Sequence, residues 1–162
     1  MCGVVGIIST QKPVAGELYD SLIHLQHRGQ DAAGIMTYDD RFHIKKGTGL
    51  IRDIFDEHNM LRLQGKVGIG HTRYPTVGGF SIEEAQPVLT HVPYGIAMAH
   101  NGNLVNYTEL AQEVAEKARR HINSSVDIEV ILHIFAHALD HPSANTDGLS
   151  FFDQVCHAVD MV

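Results

Sequence analysis

The chain opens with MCGVVGIIS, residues 1–9, a run of small and aliphatic residues that predicts a buried strand beginning almost at the first residue. Working outward from this stretch, alternating and apolar runs predict four more strands, at residues 32–38, 42–46, 67–72 and 96–99. Asp39 and Asp40 separate the first two of these, and this spacing predicts a hairpin.

Helical periodicity predicts five helices, at residues 13–28, around 54–61, at 106–120, at 126–139 and from 150 onward. Asn106 followed by Glu109 resembles a capping box, and Ser150 is followed three residues later by Asp153. Strands therefore occupy roughly the first hundred residues and helices the rest, which predicts an α+β fold with mainly antiparallel strands rather than a doubly wound parallel sheet.

The composition limits the possible partners of this protein. Of its 162 residues, 44% are hydrophobic and 19% are charged, and twelve Lys and Arg oppose nineteen Asp and Glu for a net charge of −7. Nucleic acid and anionic lipid need a basic footprint, so neither is an expected partner. The apolar runs are too short to span a bilayer, and no secretory signal is visible, so a cytoplasmic location is expected. With two cysteines, Cys2 and Cys156, a disulfide is not expected there.

Cys2 is the first candidate for a chemical role. Removal of Met1 would leave Cys2 with a free α-amino group, which titrates at about 7.7–8.0, close to a thiol at about 8.5. The amine is then able to take the thiol proton, and pairing a nucleophile with an N-terminal amine is a known route to covalent catalysis. The alternative interpretation is a small apolar residue at the start of a buried strand.

Four more residues could recognise a small polar substrate. Arg73 ends a predicted strand and opens the Gly- and Pro-rich loop of residues 73–87, where its planar fork would suit a carboxylate; an ordinary ion pair is the alternative. Asn101 and Gly102 follow a strand and could donate to an oxyanion, although Asn-Gly is also a common hairpin turn. Asp127 begins a helix and could receive an ammonium group or serve only the helix dipole.

The twelve histidines raise the question of a metal site. His133, His137 and His141 are spaced by four residues, as in some zinc sites. They fall mostly on the polar side of their helix, with Glu129 and Asp140, and no third ligand pattern accompanies them. A solvated helix face is therefore favoured over a metal site. Cys156, on an amphipathic helix with Phe152, Val155 and Val159, is predicted to be a core residue.

Several sequence blocks become specific when they are taken together: MCGVVGI (1–7), LQHRGQDAAGI (25–35), GIGHTRYPT (68–76), AHNGNL (99–104) and RHIN (120–123) leading to Asp127. In this order they resemble the glutaminase domain of the amidophosphoribosyltransferase family. The nearest alternative family, the glucosamine-phosphate synthases, typically has YRGYDSAG and TRWAT where this chain has HRGQDAAG and TRYPT.

The resemblance implies an N-terminal-nucleophile hydrolase fold, a four-layer αββα sandwich of antiparallel sheets, with residues 1–162 forming an incomplete glutaminase domain. It implies hydrolysis of glutamine to glutamate and ammonia through a cysteine thioester. The ammonia would serve phosphoribosylamine synthesis from phosphoribosyl pyrophosphate, the first step of de novo purine biosynthesis. The alternatives are a glutaminase domain of another class II amidotransferase and an inactive glutamine-binding fragment. A papain-type hydrolase is excluded, because its cysteine is internal and begins a helix.

The resemblance also implies a role for each matching residue. Cys2 is the nucleophile, and Asn101 with the Gly102 N–H forms the oxyanion hole. The substrate-binding residues are Arg73 for the glutamine α-carboxylate, Tyr74 and Thr76 in the same loop, Asp127 for the α-ammonium group, and Arg28 in support of the N-terminal strand.

No cofactor or metal is expected in this chain. Mg²⁺ is expected only for a phosphoribosyltransferase domain, whose phosphate-binding loop no segment here supplies. Glutamine is the expected direct partner, phosphoribosyl pyrophosphate would bind only through that second domain, and the full-length enzyme is expected to be a homo-oligomer. Cys2 directly after Met1 is typical of family members without a propeptide.

Overall fold

The computed structural model describes residues 1–74, 81–141 and 148–160. Two compact units are present, one formed by Met1–Pro87 with Met98–Gly102 and the other by Val88–Ala97 with Asn103–Val162. Each unit is described by itself below. Among the described residues, no helix combines the length and the apolar character needed to cross a membrane.

A four-stranded antiparallel sheet is the centre of the first unit. Its strands are β1 (Gly3–Ile8), β2 (Ala32–Tyr38), β3 (Phe42–Thr48) and β4 (Val67–Arg73), in the order β1-β4-β2-β3. Gly3 pairs with Thr72, and Ala32 pairs with Arg73. This register places the first residues of β1 and β2 beside the last residues of β4, at one end of the strands. The predicted hairpin of β2 and β3 is confirmed.

Helix α1 (Ala15–Leu25) covers one face of this sheet and continues as a 3₁₀ turn, Gln26–Arg28. Val14, Leu18 and Leu22 are fully buried and form a core with Ala33 and Ile35. The predicted single helix around residues 54–61 is two helices, α2 (Ile51–Ile54) and α3 (Glu57–Arg62). They are separate because Asp56 leaves the helical conformation and caps α3, accepting a hydrogen bond from the Asn59 N–H at 2.7 Å.

The prediction that β1 is buried was wrong. Its strand bounds are right, but β1 is an edge strand on which Val5 and Ile7 pack against the core while Val4 and Ile8 remain exposed. A continuous apolar run predicts burial on both faces, whereas only one face of β1 is covered within this unit. The position of a strand within its sheet is not encoded in its own few residues.

The second unit contains a two-stranded sheet and three helices. Strands β5 (Val88–Thr90) and β6 (Ile96–Met98) pair, and the helices are α4 (Tyr107–Glu113), α5 (Asp127–Asp140) and α6 (Phe151–Asp160). A π-helical segment, Val114–Ala118, extends α4 and ends at Arg119, whose φ of 51° is left-handed. Strand β5 is absent from the sequence prediction, whereas the equally short β6 was predicted and is confirmed.

Two predictions about helix ends had different outcomes. The side chain of Asn106 makes no capping hydrogen bond at the start of α4, so the capping box predicted there is not formed. At the start of α6, the Ser150 hydroxyl donates to the Asp153 carboxylate at 2.6 Å and accepts from the Asp153 N–H at 3.3 Å. The backbone of Asn106, with φ −114° and ψ 32°, is not in the extended conformation that places an N-cap side chain over the first turn.

Two predictions about burial in the second unit were wrong. Cys156 is exposed, as are Phe152 and Val159, and Ala158 is the buried residue of α6. On α5, Glu129 is buried and the side chain of His133 is only 12% exposed, so these two residues do not lie on a solvated face. The helical period correctly separates the faces of a helix but does not show how many of those faces are covered.

Candidate functional site

The carbonyl group of Cys2 is the meeting point of two predicted site residues. It accepts a hydrogen bond from Arg28 Nε at 3.0 Å and another from Asn101 Nδ2 at 3.1 Å. The thiol itself lies 3.9 Å from the carbonyl oxygen of Tyr74. Residues separated by up to 99 positions in the chain are therefore gathered around the predicted nucleophile, which is partly exposed.

Strand pairing fixes the position of Cys2. The next residue, Gly3, pairs with Thr72 of β4 and donates its N–H to Thr72 Oγ1 at 3.2 Å. Thr72 is fully buried, so its hydroxyl is a rigid anchor for the first residues of the chain. Sequence reasoning did not single out Thr72, because one threonine in a strand gives no signal of this contact. Met1 is 78% exposed, and its Sδ lies 3.9 Å from Arg28 Nη2.

Arg28 reaches Cys2 because the 3₁₀ turn after α1 passes directly over the end of β4. A side chain at Gly29 would place its Cβ 2.6 Å from the Arg73 carbonyl carbon, so only glycine permits this approach. The Asp31 N–H also donates to the Arg73 carbonyl oxygen at 3.2 Å. The sequence blocks around residues 25–35 and 68–76 are thus neighbours in space, which explains why both matter to one site.

Arg73 is buried and forms an ion pair with Glu84, its Nη1 lying 2.6 Å from Glu84 Oε2. The structure therefore contains the ordinary ion pair that the sequence left open as the alternative for Arg73. Arg73 has five N–H donors, and within the described residues no other acceptor is seen on its side chain. A guanidinium held on one side in this way retains donors for a carboxylate ligand.

Asn101 and Gly102 follow β6 without forming a hairpin turn, so the hairpin alternative was wrong. The preceding residue, His100, donates its N–H to Gln86 Oε1 at 2.7 Å. A Cβ at position 102 would lie 2.4 Å from His100 Nε2, so the histidine ring packs directly against Gly102. Gln86 and the ring of His100 are contacts of this segment that sequence reasoning missed.

Asp127 belongs to the second unit. It is the first residue of α5, partly exposed, and its Oδ2 accepts a hydrogen bond from the Leu104 N–H at 3.0 Å. Tyr74 is 54% exposed, and its carbonyl group faces Cys2 in the first unit. Thr76, together with Pro75, Gly78 and Gly79 of the predicted loop, lies outside the described residues.

His71 is a fully buried titratable group two residues before Arg73 on β4. Burial lowers the pKa of His71 to about 4, since the low-dielectric interior disfavours the imidazolium form. His71 is therefore neutral at physiological pH. Its place beside the site was not anticipated from the sequence.

The sequence raised the question of a metal site at His133, His137 and His141 of α5. No group of three or more His, Cys, Asp or Glu side chains there is arranged to hold an ion. Burial lowers the pKa of His133 and of His137, and the rings of His137 and His141 lie 4.3 Å apart. Cys2 and Cys156 are both free thiols.

In the first unit, Cys2 thus stands beside the Asn101-Gly102 segment at the end of an antiparallel sheet, with the buried Arg73 at the end of the neighbouring strand. Residues 55–153 match the family described as the glutamine amidotransferase domain, so this chain belongs to that family. The matched residues include Arg73, Asn101, Gly102 and Asp127.

The relatives are consistent with this assignment. The chain is 54% identical to an amidophosphoribosyltransferase of Pasteurella multocida over 143 residues, which are 87% of this chain and 28% of that protein. It is 52% identical to one of Haemophilus influenzae over 155 residues, covering 94% of this chain and 30% of that protein. The resemblance predicted from the sequence blocks is therefore confirmed.

A solved structure agrees with the fold. Glutamine phosphoribosylpyrophosphate amidotransferase from B. subtilis, complexed with ADP and GMP, has 34% sequence identity and a TM-score of 0.79. The match covers 99% of this chain and 33% of that one. The chain thus spans about a third of the length of its relatives or less, and the predicted fold class is confirmed.

Proposed function

We propose that this chain hydrolyses glutamine to glutamate and ammonia, with Cys2 as the nucleophile. The observation that carries the proposal is the 3.1 Å hydrogen bond from Asn101 Nδ2 to the carbonyl oxygen of Cys2. An amide group has two N–H donors, so Asn101 keeps a second one for a substrate bound at the thiol. A predicted oxyanion donor and a predicted nucleophile thus share one small volume of the first unit.

The reaction begins after Met1 is removed, because the Cys2 nitrogen is otherwise an amide. The free α-amine takes the thiol proton, and the thiolate attacks the carboxamide carbon of glutamine. Negative charge moves to the carboxamide oxygen, where the second Asn101 N–H and the Gly102 N–H stabilise it. The C–N bond then breaks, and nitrogen leaves as ammonia with the proton from the α-ammonium group.

Water completes the cycle. The α-amine removes a proton from a water molecule as its oxygen attacks the carbonyl carbon of the γ-glutamyl thioester. The C–S bond breaks, glutamate is released, and the sulfur regains its proton. The single nitrogen atom at the N-terminus thus serves as base and as acid in both halves of the reaction.

Glutamine would be bound through its two charged groups. Arg73 takes the α-carboxylate with the guanidinium donors that Glu84 does not use, and Tyr74 and Thr76 complete that loop. The sequence motif assigns the α-ammonium group to Asp127, and Asp127→Asn is expected to weaken glutamine binding. Arg28 supports the reaction indirectly, since it donates to the Cys2 carbonyl and so orients the nucleophile.

In a protein of the length of the relatives, the released ammonia would react with phosphoribosyl pyrophosphate to give phosphoribosylamine, the first step of purine biosynthesis. The names of the relatives support this assignment, and Mg²⁺ would serve only that second reaction. Such a protein is proposed to act in the cytoplasm as a homo-oligomer. The chain of 162 residues alone should release ammonia to solvent, and formation of phosphoribosylamine by it would contradict this proposal.

Glutamate release by the purified chain tests the proposed function directly. Mass spectrometry first establishes that Met1 has been removed, and Cys2→Ser is the matched variant that keeps the N-terminal amine. Wild-type protein should release glutamate and should be labelled at Cys2 by a glutamine-like electrophile, while Cys2→Ser should do neither. Equal glutamate release by both proteins would overturn the assignment of Cys2, and binding of glutamine without release would favour a binding fragment.

A further inference from the structure

Residues 84–86 form a short buried segment, here called the bracket, that is anchored to three different strands of the first unit. Glu84 pairs with Arg73 at the end of β4, and the carbonyl oxygen of Ala85 accepts from Lys46 Nζ of β3 at 2.5 Å. The backbone of Gln86 lies against Gly34 of β2 so closely that a Cβ there would overlap its carbonyl oxygen. The bracket is therefore tied to the sheet at three points, although it lies in a region predicted as loop and belongs to no strand.

The first side chain of the bracket acts on Arg73. The side chains of Glu84 and Arg73 are only 8% and 11% exposed, so the ion pair is largely removed from water. A buried guanidinium without a partner is costly, and the ion pair with Glu84 restrains where the Arg73 guanidinium lies. Glu84 occupies Nη1, which leaves the other donors of the fork aimed by the same contact.

The other polar side chain of the bracket acts on the Asn-Gly segment. Gln86 is 6% exposed, and its Oε1 accepts the N–H of His100 at 2.7 Å. His100 immediately precedes Asn101, and its ring packs against Gly102. The position of both proposed oxyanion donors therefore depends on where Gln86 holds the backbone of His100.

We propose that Glu84 and Gln86 are positioning residues for glutamine hydrolysis, with separate tasks. Glu84 orients Arg73 for the α-carboxylate of glutamine, and Gln86 sets the oxyanion donors Asn101 and Gly102 through His100. This inference rests on the proposed function. One segment thereby couples the binding half of the site to the catalytic half, and the two halves are separable by measurement.

Glu84→Gln tests the first task. The amide keeps the size of the side chain but removes the charge, so Arg73 loses its fixed orientation and KM for glutamine should rise about tenfold. The value of kcat should change less than about threefold, because the oxyanion donors are untouched. Glu83→Gln is the matched control, since Glu83 is the neighbouring residue and is exposed; it should leave both constants unchanged. A fall in KM for Glu84→Gln would show that Glu84 competes with substrate and would overturn its positioning role.

Gln86→Met tests the second task. Methionine keeps the length of the side chain but cannot accept the His100 N–H, so the Asn101-Gly102 segment should shift. A displacement of donors by about 1 Å costs roughly a hundredfold in rate, so kcat should fall tenfold to a hundredfold while KM stays within about threefold. The exposed Gln64 offers the control Gln64→Met, which should behave as wild type. A rise in KM with unchanged kcat would overturn the assignment of Gln86.

Titration of Cys2 with a radiolabelled glutamine-like electrophile keeps these results interpretable, because rates are then expressed per labelled, folded molecule. If wild type releases no glutamate, the proposed function itself fails. Suppose that wild type is active and Cys2→Ser is inactive, while Glu84→Gln and Gln86→Met give a smaller labelled fraction but wild-type kcat and KM per labelled molecule. The proposed function then stands, and the bracket serves only the stability of the fold. The inference is supported if Glu84→Gln raises mainly KM and Gln86→Met lowers mainly kcat.

Discussion

Glu84 and Glu129 are the buried acids among the described residues, one in each compact unit, and their charges are balanced in different ways. Glu84 faces the guanidinium of Arg73. Glu129 accepts hydrogen bonds from neutral groups: the backbone and side-chain N–H of Asn123, at 2.9 and 3.1 Å, and the N–H and hydroxyl of Ser124, at 2.8 and 2.5 Å. His133 Nε2 lies farther away, 3.9 Å from Glu129 Oε1.

The two arrangements differ in what they leave available. Glu129 is the third residue of α5, and its partners lie five and six positions earlier. Its hydrogen bonds therefore cap the N-terminus of α5, as the acid of a capping box does. Both of its oxygens are already used. The Arg73–Glu84 pair joins residues from separate segments and leaves donors on Arg73. A closed local network stabilises a fold, whereas a pair with open donors is able to recognise a ligand.

Retention of Met1 is expected to have the largest effect, and this effect should fall on activity and not on stability. Protein that retains Met1 should lose about a hundredfold to ten-thousandfold in glutamate release, because an amide nitrogen is unable to act as the general base. Its melting temperature should match that of processed protein, since Met1 is mostly exposed. Mass spectrometry assigns the two forms, and full activity in protein that keeps Met1 would require a different base.

Acid should weaken the first unit through His71. Its pKa is about 4 when folded and 6.5 when unfolded, so below pH 6.5 the unfolded chain takes up a proton that the folded chain refuses. The contribution of His71 to the free energy of unfolding is therefore fully present above pH 6.5. It falls by about 3 kcal/mol in total as the pH is lowered from 6.5 toward 4. Urea unfolding at several pH values should show this slope reduced in His71→Asn and retained in His58→Asn, whose histidine is exposed. If both variants show the same dependence of unfolding free energy on pH, His71 is not the cause of the acid sensitivity.

Glu129→Gln should destabilise the second unit without a selective effect on glutamine hydrolysis. Burial opposes ionisation of Glu129, but the hydrogen bonds from Ser124 and Asn123 outweigh it and hold its pKa below the usual value. Replacing the carboxylate weakens these charge-assisted bonds and should cost about 2 kcal/mol of unfolding free energy. Denaturant unfolding measures the loss, with the exposed Glu116→Gln as control. If Glu129→Gln changed kcat per labelled molecule without lowering stability, Glu129 would act on catalysis as Glu84 is proposed to do, and the contrast between the two acids would be wrong.

Arg73→Lys should have the smallest of these effects and should sharpen the comparison most. Lysine preserves the charge opposite Glu84 but lacks the planar fork, so glutamine affinity should fall about tenfold while folding is retained. Calorimetry with the Cys2→Ser background measures binding without turnover, and Lys66→Arg, an exposed exchange in the opposite sense, is the control. Unchanged affinity would mean that the open donors of Arg73 do not meet the substrate.

Much of the fold was predictable because it depends on local periodicity. The bounds of β2, β4, α1 and α5 follow from apolar spacing within each segment, and the structure places them within a few residues of the prediction. The errors concern neighbours that a segment does not itself encode. β1 was assigned to the interior, Cys156 to the core, and Glu129 with His133 to a solvated face, because one period describes one element and not what covers it.

The sequence by itself determined the family, the order of the motif blocks and the identity of Cys2, Arg73, Asn101 and Gly102 as candidates, since these are properties of residue type and spacing. Tertiary structure alone decided that Asn101 donates to the Cys2 carbonyl, that Glu84 holds Arg73, and that Gln86 holds His100. The partners in these contacts are between 11 and 99 positions apart, and Glu84 and Gln86 carry no motif of their own. Such contacts exist only after the strands have paired and excluded water, because a buried polar group must then take whichever partner the packing brings within reach.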